Sequence, residues 1–368
     1  MKCLAKCSKA GIIILSFSLT KFREKLISWF ESNQRSLPWR KTRNPYHIWV
    51  SEVMLQQTQV RKVVDYYQRF LERFPTLEQL AEADLQGLLK MWEGLGYYAR
   101  ARNLRKAAKI VVSDMDGKVP TDYKTFRKLP GVGDYTAAAV QSIAFGHSHA
   151  AVDGNVKRVI ARMFMLDSPV NDTRFQRLFQ EKASFLLDRD QPSAFNQAMM
   201  ELGAMICRPK APLCTICPVN LFCAAFQAAC QDQFPLSLKR RPIPSYHLVV
   251  AVIRRDDQIL IVQRRTDGLL GGLWEFPCGE IDNVEEPLED VCCRTIKGGF
   301  NLQIEVTSFL TQIKHAYTHF KTIMEIFECC YLSGEIVLDQ MQDYRWIKVD
   351  QIGQYPLIGA NHKFLSLV

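Results

Sequence analysis

Four cysteines between residues 207 and 223 constrain this chain more than any other feature of its sequence. Cys207, Cys214, Cys217 and Cys223 follow the spacing C-x6-C-x2-C-x5-C. Short loops can gather four thiolates at such spacing into one closed tetrahedral site, which suits either a structural zinc ion or a [4Fe-4S] cluster. Disulfides are the competing interpretation, but they fit poorly because no clear export signal points to an oxidising compartment. The sequence therefore predicts that the four cysteines bind a metal centre.

The length and composition indicate a folded chain with more than one domain. At about 100 to 200 residues per domain, 368 residues allow two or three domains, and a hydrophobic content of 48% excludes wholesale disorder. An apolar run at residues 11–19 lies behind Lys2, Lys6 and Lys9 and imitates a weak export signal. It is short for a membrane span, and no small-residue cleavage site follows it. We interpret residues 1–19 as an N-terminal extension and expect neither membrane association nor secretion.

The positive charge of the chain is concentrated before residue 231. Residues 21–230 carry 30 basic and 20 acidic side chains, a net charge of +10, whereas residues 231–368 carry 14 and 18, a net charge of −4. With +3 from residues 1–20, these charges give the +9 of the whole chain. A basic domain is expected in a protein that faces a polyanion, although a merely soluble basic surface explains the charge about as well.

Helical spacing of apolar residues predicts an all-α domain over residues 20–230. One such series is Val60, Val63, Val64, Tyr67, Phe70 and Leu71. Thr76, with Gln79 three positions later, forms a capping-box pattern that predicts the start of a helix. We expect this one helix to carry Leu80, Leu85, Leu88 and Leu89.

The pattern changes after a polar, proline-broken stretch at residues 231–245, which is typical of a linker. Residues 248–253 and 259–262 are rich in β-forming side chains and flank an Asp256-Asp257 turn. Residues 323–332 and 335–338 have a similar composition, so they also predict strands. We therefore predict a β-containing second domain over residues 246–368.

A short glycine motif interrupts the helical domain at Leu129-Pro130-Gly131-Val132-Gly133. Two glycines two positions apart allow a tight hairpin whose backbone N–H groups point outward at the start of the next helix, an arrangement that binds phosphate. A plain turn between two helices is the alternative interpretation.

Together these motifs resemble the helix-hairpin-helix, iron-sulfur branch of DNA glycosylases. The shared motifs are the hairpin, an aspartate about twenty residues later in Val152-Asp153-Gly154-Asn155-Val156, and the four-cysteine spacing. Within that branch, residues 51–58 (SEVMLQQT) and 92–98 (WEGLGYY) resemble the MutY family, adenine DNA glycosylases that act on adenine opposite 8-oxoguanine. The resemblance implies an α+β multidomain chain with an all-α glycosylase domain and a [4Fe-4S] cluster loop.

Cleaving the N-glycosidic bond to adenine requires two carboxyl groups in different environments. One must donate a proton to the departing base, and the other must stabilise the oxocarbenium-like sugar. Glu52 lies among Val50, Val53, Met54 and Leu55, an apolar setting that favours its protonated form. Given the resemblance, we assign Glu52 as the proton donor to adenine N7. The alternative is a first-turn glutamate that complements a helix dipole.

Asp153 precedes the helical residues 156–164 and fits a helix N-cap, which would hold an ionised carboxylate in a fixed place. The resemblance implies that Asp153 stabilises the sugar cation and that Asn155 and Tyr135 orient the site. Related bifunctional glycosylases of the endonuclease III type have a lysine where this chain has Tyr135, and a phenol cannot form a Schiff base. The resemblance therefore implies base excision by water without an efficient lyase step.

The target base must leave the duplex before this chemistry is possible. By resemblance, Gln57, Thr58, Leu95 and Tyr97 would fill the vacated stack, and Gly131 and Gly133 would contact the DNA backbone. Trp39, Arg40 and Gln197 would line the adenine pocket. Burial in the core explains Leu95 and Trp39 about as well. A phosphate-facing or merely solvated helix surface is expected at Arg100, Arg102, Arg105, Lys106 and Lys109.

The second domain resembles a Nudix fold at residues 271–277 (GGLWEFP) and Gly279. A Nudix hydrolase holds magnesium with a helix of glutamates. Counted from Gly279, Glu285 fits this motif, but Cys293, Arg294, Lys297 and Gly298 stand where it has Arg, Glu, Glu and Glu. We therefore expect a Nudix-like α/β recognition domain and no hydrolase site.

A Phe-Ser-His loop reads 8-oxoguanine in the MutY family. In this chain Tyr317, Thr318 and His319 occupy the comparable place. The resemblance therefore implies that these three residues contact 8-oxoguanine. A surface hairpin with incidental polar residues is the alternative.

Three functional hypotheses follow. The first is a monofunctional adenine glycosylase that acts as a monomer on duplex DNA with adenine opposite 8-oxoguanine or guanine, and that holds a [4Fe-4S] cluster or, alternatively, zinc. The second is a non-catalytic iron-sulfur DNA-binding or redox protein; Glu52 argues against it because binding alone needs no acid in an apolar setting. The third, a bifunctional pyrimidine glycosylase, is disfavoured by Tyr135. The expected compartment is the cytoplasm of a bacterium, or the nucleus or mitochondrion of a eukaryotic cell.

Overall fold

The computed structural model describes residues 19–239, 242–282 and 285–368. By their contacts these residues form two compact units, the first from residues 19–81 and 106–239 and the second from residues 82–105 and 242–368. The predicted extension lies outside the described residues except for residue 19. None of the described helices is both long and apolar enough to cross a membrane.

The helices begin and end as follows: α1 Leu19–Asn33, α2 Pro45–Leu55, α3 Val60–Arg73, α4 Leu77–Glu82, α5 Leu85–Met91, α6 Ala99–Asp114, α7 Tyr123–Arg127, α8 Asp134–Phe145, α9 Gly154–Phe164, α10 Gln176–Leu186, α11 Pro192–Met205, α12 Ala224–Gln227 and α13 Leu288–Phe300. Across residues 20–230, which the structure describes throughout, no residue forms a β-strand, and this confirms the all-α prediction for that range.

One apolar core of the first unit lies between α1, α9, α10 and α11. Phe22 on α1 is fully buried and makes edge-to-face contacts with Phe195 and Phe222. Val156 and Phe179 are buried in the same core. Because Val156 is anchored there, this core fixes the N-terminus of α9, where Asp153 lies.

The prediction of one helix that starts at Thr76 and carries Leu80, Leu85, Leu88 and Leu89 is wrong, because the chain is divided there into α4 and α5. The predicted start is confirmed, since the Thr76 hydroxyl accepts a hydrogen bond from the N–H of Gln79 at 3.3 Å. Asp84 then leaves the helical conformation with ψ of 138° and accepts from the N–H of Gly87 at 2.9 Å. An aspartate that caps a new helix therefore ends the previous one.

A seven-stranded sheet forms the second unit together with α5 and α13. Its strands are β1 Ser245–Arg255, β2 Gln258–Arg264, β3 Trp274–Glu275, β4 Cys278–Glu280, β5 Gln303–Ala316, β6 Lys321–Ser333 and β7 Met341–Lys348. The order is β3-β2-β1-β6-β5, with β4 paired to β1 and β7 to β2; β1 and β6 are parallel, and the other pairs are antiparallel. Val291 and Ile296 of α13 are fully buried in the core beside the sheet. This arrangement confirms the expected Nudix-like α/β fold.

The strands predicted at residues 248–253, 259–262 and 323–332 are confirmed, and the one predicted at residues 335–338 is wrong. β6 ends at Ser333, and Gly334 turns the backbone to φ of +109°. A side chain there would clash with the carbonyl of Asn301 at 2.3 Å from its Cβ. The chain therefore leaves the sheet at Gly334.

Candidate active site

A cavity of about 1000 Å³ opens in the first unit and gathers most of the residues that the sequence singles out there. Its lining includes Trp39, Arg40, Glu52, Gln57, Thr58, Gly131, Gly133, Tyr135, Asp153, Asn155 and Gln197. These residues come from a 3-10 turn at Pro38–Lys41, from α2 and the loop after it, from the hairpin before α8, and from α8, α9 with its N-cap, and α11. Residues up to 158 positions apart in the sequence thus face one space.

Glu52 lies in the last turn of α2, not in a first turn, so its role as a complement to a helix N-terminus is excluded. Its side chain is only 4% exposed, and its Oε2 accepts a hydrogen bond of 2.5 Å from the Tyr135 hydroxyl. Burial, with a smaller contribution from the charge of Asp153, raises the pKa of Glu52, which is about 7 overall. The hydrogen bond from Tyr135 and the charge of Arg40 lower this pKa and only partly offset the burial. Glu52 is therefore suited to carry a proton near neutral pH.

Asp153 is the N-cap of α9, as the sequence predicts. Its Oδ1 accepts from the N–H of Val156 at 2.7 Å, and its Oδ2 accepts from the Asn155 amide at 2.9 Å. Burial raises the pKa of Asp153, and these two hydrogen bonds, which favour the ionised form, offset that increase only in part. Asn155 is itself fixed, since its Oδ1 accepts from Arg158 at 2.8 Å. The carboxylate of Asp153 thus has a fixed position and orientation at the cavity wall.

A buried ion-pair network that the sequence analysis missed forms another wall of the cavity. Glu201 is 1% exposed, and its Oε2 lies 2.6 Å from Arg35 Nη2 and 2.9 Å from Arg40 Nη2. Burial raises the pKa of Glu201, but the hydrogen bonds from both arginines lower it to about 2 overall. A charged residue between the buried Met199 and Leu202 of α11 was the signal that could have revealed this network.

The residues predicted for the adenine pocket occupy defined places in the cavity. Trp39 is 7% exposed and packs edge-to-face on Tyr67 with ring centroids 5.4 Å apart. Trp39 is therefore part of the packed core, and it also borders the cavity. Gln197 donates to the Ser193 carbonyl and hydroxyl at 3.3 Å each. Gln57 is exposed at the rim with φ of +56°.

The predicted hairpin joins α7 to α8. Gly131 has φ of +77°, which favours glycine, and Gly133 is the N-cap of α8. Arg127 fixes the turn, because its Nε lies 2.6 Å from Asp134 Oδ1 and its Nη1 donates to the Val132 carbonyl at 3.0 Å. Both glycines line the cavity edge, beside the N-terminus of α8.

Four predicted metal ligands surround a small cavity of about 30 Å³ elsewhere in the first unit. Besides Cys207, Cys214, Cys217 and Cys223, its lining includes Arg162, Ile206, Asn220, Phe226 and Gln231. Among the residues that the structure describes, no three His, Cys, Asp or Glu side chains are drawn together as ligands of a single ion. The sulfurs instead line a shared space.

Arg162 places a fixed positive charge beside these sulfurs. It is 1% exposed, and its Nη1 donates to Cys207 Sγ at 3.3 Å and to the Arg208 carbonyl at 2.7 Å. Burial raises the pKa of Cys217 to about 12 and that of Cys223 to about 11, so these thiolates need a compensating cation. Four thiols with an arginine at their edge fit a metal centre that binds thiolates.

Leu95, Tyr97 and the loop of residues 317–319 belong to the second unit. Leu95 is 6% exposed, as expected of a core residue. Tyr97 has φ of +50°, and its ring meets that of His319 edge-to-face with centroids 6.4 Å apart. The second unit thus brings together two residues that the sequence singles out 222 positions apart.

Tyr317 differs from its two neighbours in exposure. Its ring stacks on Phe320 with centroids 4.5 Å apart, and its hydroxyl accepts a hydrogen bond from the N–H of Ala360. Burial raises its pKa well above the usual range. Thr318 and His319 are exposed. Tyr317 therefore anchors the loop, and the other two side chains form its accessible tip.

Three arginines of the suspected phosphate-facing surface instead hold the chain internally. Arg100 Nη2 donates to the Gly96 carbonyl at 3.0 Å, Arg102 Nη1 to the Gly271 carbonyl at 2.7 Å, and Arg105 Nε to the Ala83 carbonyl at 2.6 Å. Lys106 and Lys109 are exposed. Only these two lysines keep the solvated surface that the sequence suggests.

The residues of α13 that stand where a Nudix hydrolase has its glutamates make contacts within the second unit. Arg294 of α13 pairs with Glu286 at 2.7 Å, and Cys293 Sγ donates weakly to the Ile304 carbonyl at 3.6 Å. A Cβ added to Gly279 of β4 would lie 2.2 Å from the side chain of Thr295 on α13 and would clash with it. The glycine of the Nudix motif is thus kept for close packing.

Comparisons with known proteins agree with this architecture. The family model of the HhH-GPD superfamily base excision DNA repair protein matches residues 50–201, and the NUDIX domain model matches residues 249–367. Two relatives are adenine DNA glycosylases. The protein of Rattus norvegicus is 33% identical, and the match covers 89% of this chain and 74% of the rat protein. That of Homo sapiens is 34% identical and matches 90% and 71%.

A solved structure supports the fold of the helical part. It is a thermostable thymine-DNA glycosylase with 31% sequence identity and a TM-score of 0.53, and it covers 57% of this chain and 96% of its own. The two carboxyl groups lie at one cavity, the second unit has a Nudix-like fold, and both relatives are matched over more than two thirds of their length. The chain therefore belongs to the adenine DNA glycosylase family.

Proposed function

We propose that this protein is a monofunctional glycosylase that hydrolyses the N-glycosidic bond of adenine opposite 8-oxoguanine or guanine in duplex DNA. The observation that carries the proposal is the pair of carboxyl groups at one cavity, with burial raising the pKa of Glu52 to about 7 beside an N-capping Asp153. A carboxyl group that is still protonated near neutral pH can act as an acid, and a fixed carboxylate can stabilise a cation.

The reaction begins with an extruded nucleotide, and the cavity of about 1000 Å³ has room for one. Glu52 donates its proton to N7 of adenine, so the base leaves as a neutral molecule. The carbon–nitrogen bond then breaks, and Asp153 stabilises the positive charge that develops on the sugar. Water adds to the sugar to give an abasic site, and the proton that it releases restores the acid form of Glu52. Tyr135 orients Glu52, and Asn155 orients Asp153, through the hydrogen bonds described above.

Tyr135 supports a monofunctional reaction. Its phenol occupies a place beside Glu52 where an amine would be needed for a Schiff base. Without that covalent intermediate the DNA strand stays intact after base loss.

We propose that Cys207, Cys214, Cys217 and Cys223 hold a [4Fe-4S] cluster, with structural zinc as the alternative. Their spacing and their shared cavity support this assignment. When bound, such a cluster crosslinks the loops that carry its ligands and stabilises the local fold. Arg162 stabilises the thiolate of Cys207 there.

We further propose that Thr318 and His319, with Tyr317 as their anchor, contact the base opposite adenine, and that Gln57, Thr58 and Tyr97 occupy the gap left by the extruded nucleotide. The exposure of Thr318 and His319 and the contact between His319 and Tyr97 support this role. The functional domains then correspond to residues 20–230 and 246–368, and the protein works as a monomer in the compartment that holds the DNA.

The test is a glycosylase assay on three duplexes that differ only in the base opposite one adenine: 8-oxoguanine, guanine or thymine. The proposal expects alkali-labile sites with the first two, no strand break before alkali, and no product with thymine. Intact DNA in all three would leave only a DNA-binding protein. Strand breaks before alkali would indicate a lyase.

A further inference from the structure

The carboxylate of Glu93 joins two distant segments within the second unit. Its Oε1 accepts from the N–H of Leu357 at 2.9 Å and lies 3.0 Å from His362 Nε2. Its Oε2 accepts from Lys90 Nζ at 2.7 Å. The side chain is 17% exposed, so most of this contact is shielded from water. Three donors, two of them from the C-terminal segment, therefore converge on one carboxylate within residues 92–98.

Other contacts fasten the same stretch of chain to the sheet. Lys90 Nζ also donates to the Tyr355 carbonyl at 3.1 Å. The Gln86 amide accepts from Trp274 Nε1 at 2.8 Å and donates to the Gly272 carbonyl at 3.1 Å. Gln86 and Lys90, which precede Glu93 in the chain, thus also make polar contacts with distant residues of the second unit.

The charge of Glu93 is stabilised in this setting. Burial raises its pKa, but the hydrogen bonds from His362, Lys90 and Leu357 together outweigh burial and leave the pKa below the usual value. Charge-assisted hydrogen bonds of this kind are about twice as strong as neutral ones. Glu93 is therefore held as a charged anchor by these three donors.

The loop that Glu93 anchors has a backbone that needs support. Gly94, Gly96 and Tyr97 have φ of +90°, +73° and +50°. Tyr97 carries a full side chain in this left-handed region, a strained conformation that persists only where the surroundings hold it. Its ring nevertheless reaches His319. The position of Tyr97 thus depends on the contacts that hold the loop.

We propose that Glu93 is a positioning residue that ties the loop of residues 92–98 to the 355–362 segment and so holds Tyr97 beside His319 as one surface that reads the base opposite adenine. The inference rests on the proposed function, in which both residues meet the DNA. It adds that recognition of that base depends on a carboxylate that touches neither DNA nor adenine.

The experiment compares Glu93→Gln with Glu82→Gln, the same change at an exposed residue of the second unit. Glu93→Gln keeps the volume but places an amide in a position that accepted from Lys90. For each protein, single-turnover rates of adenine release are measured opposite 8-oxoguanine and opposite guanine. Amide hydrogen exchange of peptides covering residues 92–98 is followed without DNA. His362→Gln serves as a second, milder variant because it removes one of the three donors.

We expect Glu93→Gln to reduce the ratio of the two rates about tenfold, as for the loss of one charge-assisted hydrogen bond. The rate opposite guanine should stay within about twofold of the wild type, and Glu82→Gln should match the wild type. Exchange in residues 92–98 should be faster in Glu93→Gln, and His362→Gln should show a smaller effect of the same kind. A merely structural role would lower both rates together and leave their ratio unchanged.

An unchanged ratio in Glu93→Gln, in a wild type that prefers 8-oxoguanine, would overturn the inference. A wild type with no preference for 8-oxoguanine would instead overturn that part of the proposed function. In that case hydrogen exchange decides the inference, because the loop must open faster in Glu93→Gln than in Glu82→Gln if Glu93 holds it. Equal exchange in both variants would refute it.

Discussion

Tyr135 donates a hydrogen bond of 2.5 Å to Glu52 Oε2, although 83 positions separate the two residues. Tyr135 is in the first turn of α8, and Glu52 is in the last turn of α2. The bond fixes which carboxylate oxygen is free to face the cavity. It also moderates the effect of burial, because hydrogen bonding to Tyr135 lowers the pKa of Glu52.

Replacing Tyr135 by phenylalanine removes this hydrogen bond and keeps the ring. The pKa of Glu52 should rise, and its carboxyl group should lose its fixed orientation. We expect single-turnover adenine release at neutral pH to fall about tenfold, as for a hydrogen bond to a charged group. The measurement is the rate as a function of pH, and its descending limb should move to higher pH. A limb that moves to lower pH would contradict the account.

Glu52 should destabilise the folded protein at alkaline pH. Its folded-state pKa of about 7 lies above the ordinary value of 4.5, so its contribution to stability is present below the unfolded pKa and is lost as pH rises through about 7. Glu52→Gln mimics the neutral acid. Its free energy of unfolding should therefore exceed that of the wild type by about 2 to 3 kcal/mol at pH above 8, and the two should converge at about pH 4. Urea unfolding at several pH values measures this, and a constant difference would contradict it.

Glu201 should have the opposite pH dependence. Its folded-state pKa of about 2 is below the ordinary value, so its stabilising contribution is present above the unfolded pKa and is lost as pH falls toward 2. Glu201→Gln leaves Arg40 buried without its partner and should lower the free energy of unfolding by about 3 kcal/mol at pH 7.

The matched control for Glu201 is Glu181→Gln, which breaks the exposed pair with Arg177. That change should cost less than about 0.5 kcal/mol. Urea unfolding of both variants at pH 7 provides the comparison. Equal losses would show that the ion-pair network at the cavity does not stabilise the fold.

The cysteine assignment predicts different effects of one substitution at two places. Cys214→Ser removes a proposed ligand, and Cys230→Ser changes a buried cysteine outside the proposed set. Cys214→Ser should contain less iron and acid-labile sulfide per chain and should lose the broad visible absorption of an iron-sulfur protein, whereas Cys230→Ser should keep all three. Zinc without sulfide in the wild type would assign the alternative metal centre. Equal metal content in both variants would refute the ligand set.

Local patterns predicted those parts of the fold and site that depend on neighbours in the sequence. The N-cap at Asp153 needs only Val156 three positions later, and the hairpin at Gly131 needs only a short run with glycine in the left-handed region. The strands around Asp256 and Asp257 follow from local composition in the same way. Such features are fixed by interactions within a few residues.

Contacts between distant segments could not be predicted in this way. Glu93 and Leu357 lie 264 positions apart, and no local pattern indicates that residues 82–105 pack with the sheet. The apolar neighbours of Glu201 indicate a buried charge, but its partners Arg35 and Arg40 lie 166 and 161 positions away, so no local pattern identifies them. The separation of α4 from α5 was missed because the leucine periodicity continues across Asp84. For Glu93 and Glu201 the deciding interaction is set by the tertiary fold, whereas the Asp84 cap is a local contact that the leucine periodicity masks.

The most direct test of the central claim is the single-turnover rate of adenine release from a duplex with adenine opposite 8-oxoguanine, measured across pH for the wild type and Glu52→Gln. If Glu52 is the proton donor, the wild-type rate falls as pH rises through about 7. Glu52→Gln should then be slower by about 100- to 10,000-fold and should lose that pH dependence. A Glu52→Gln rate close to that of the wild type, with the same descending limb, would contradict the account.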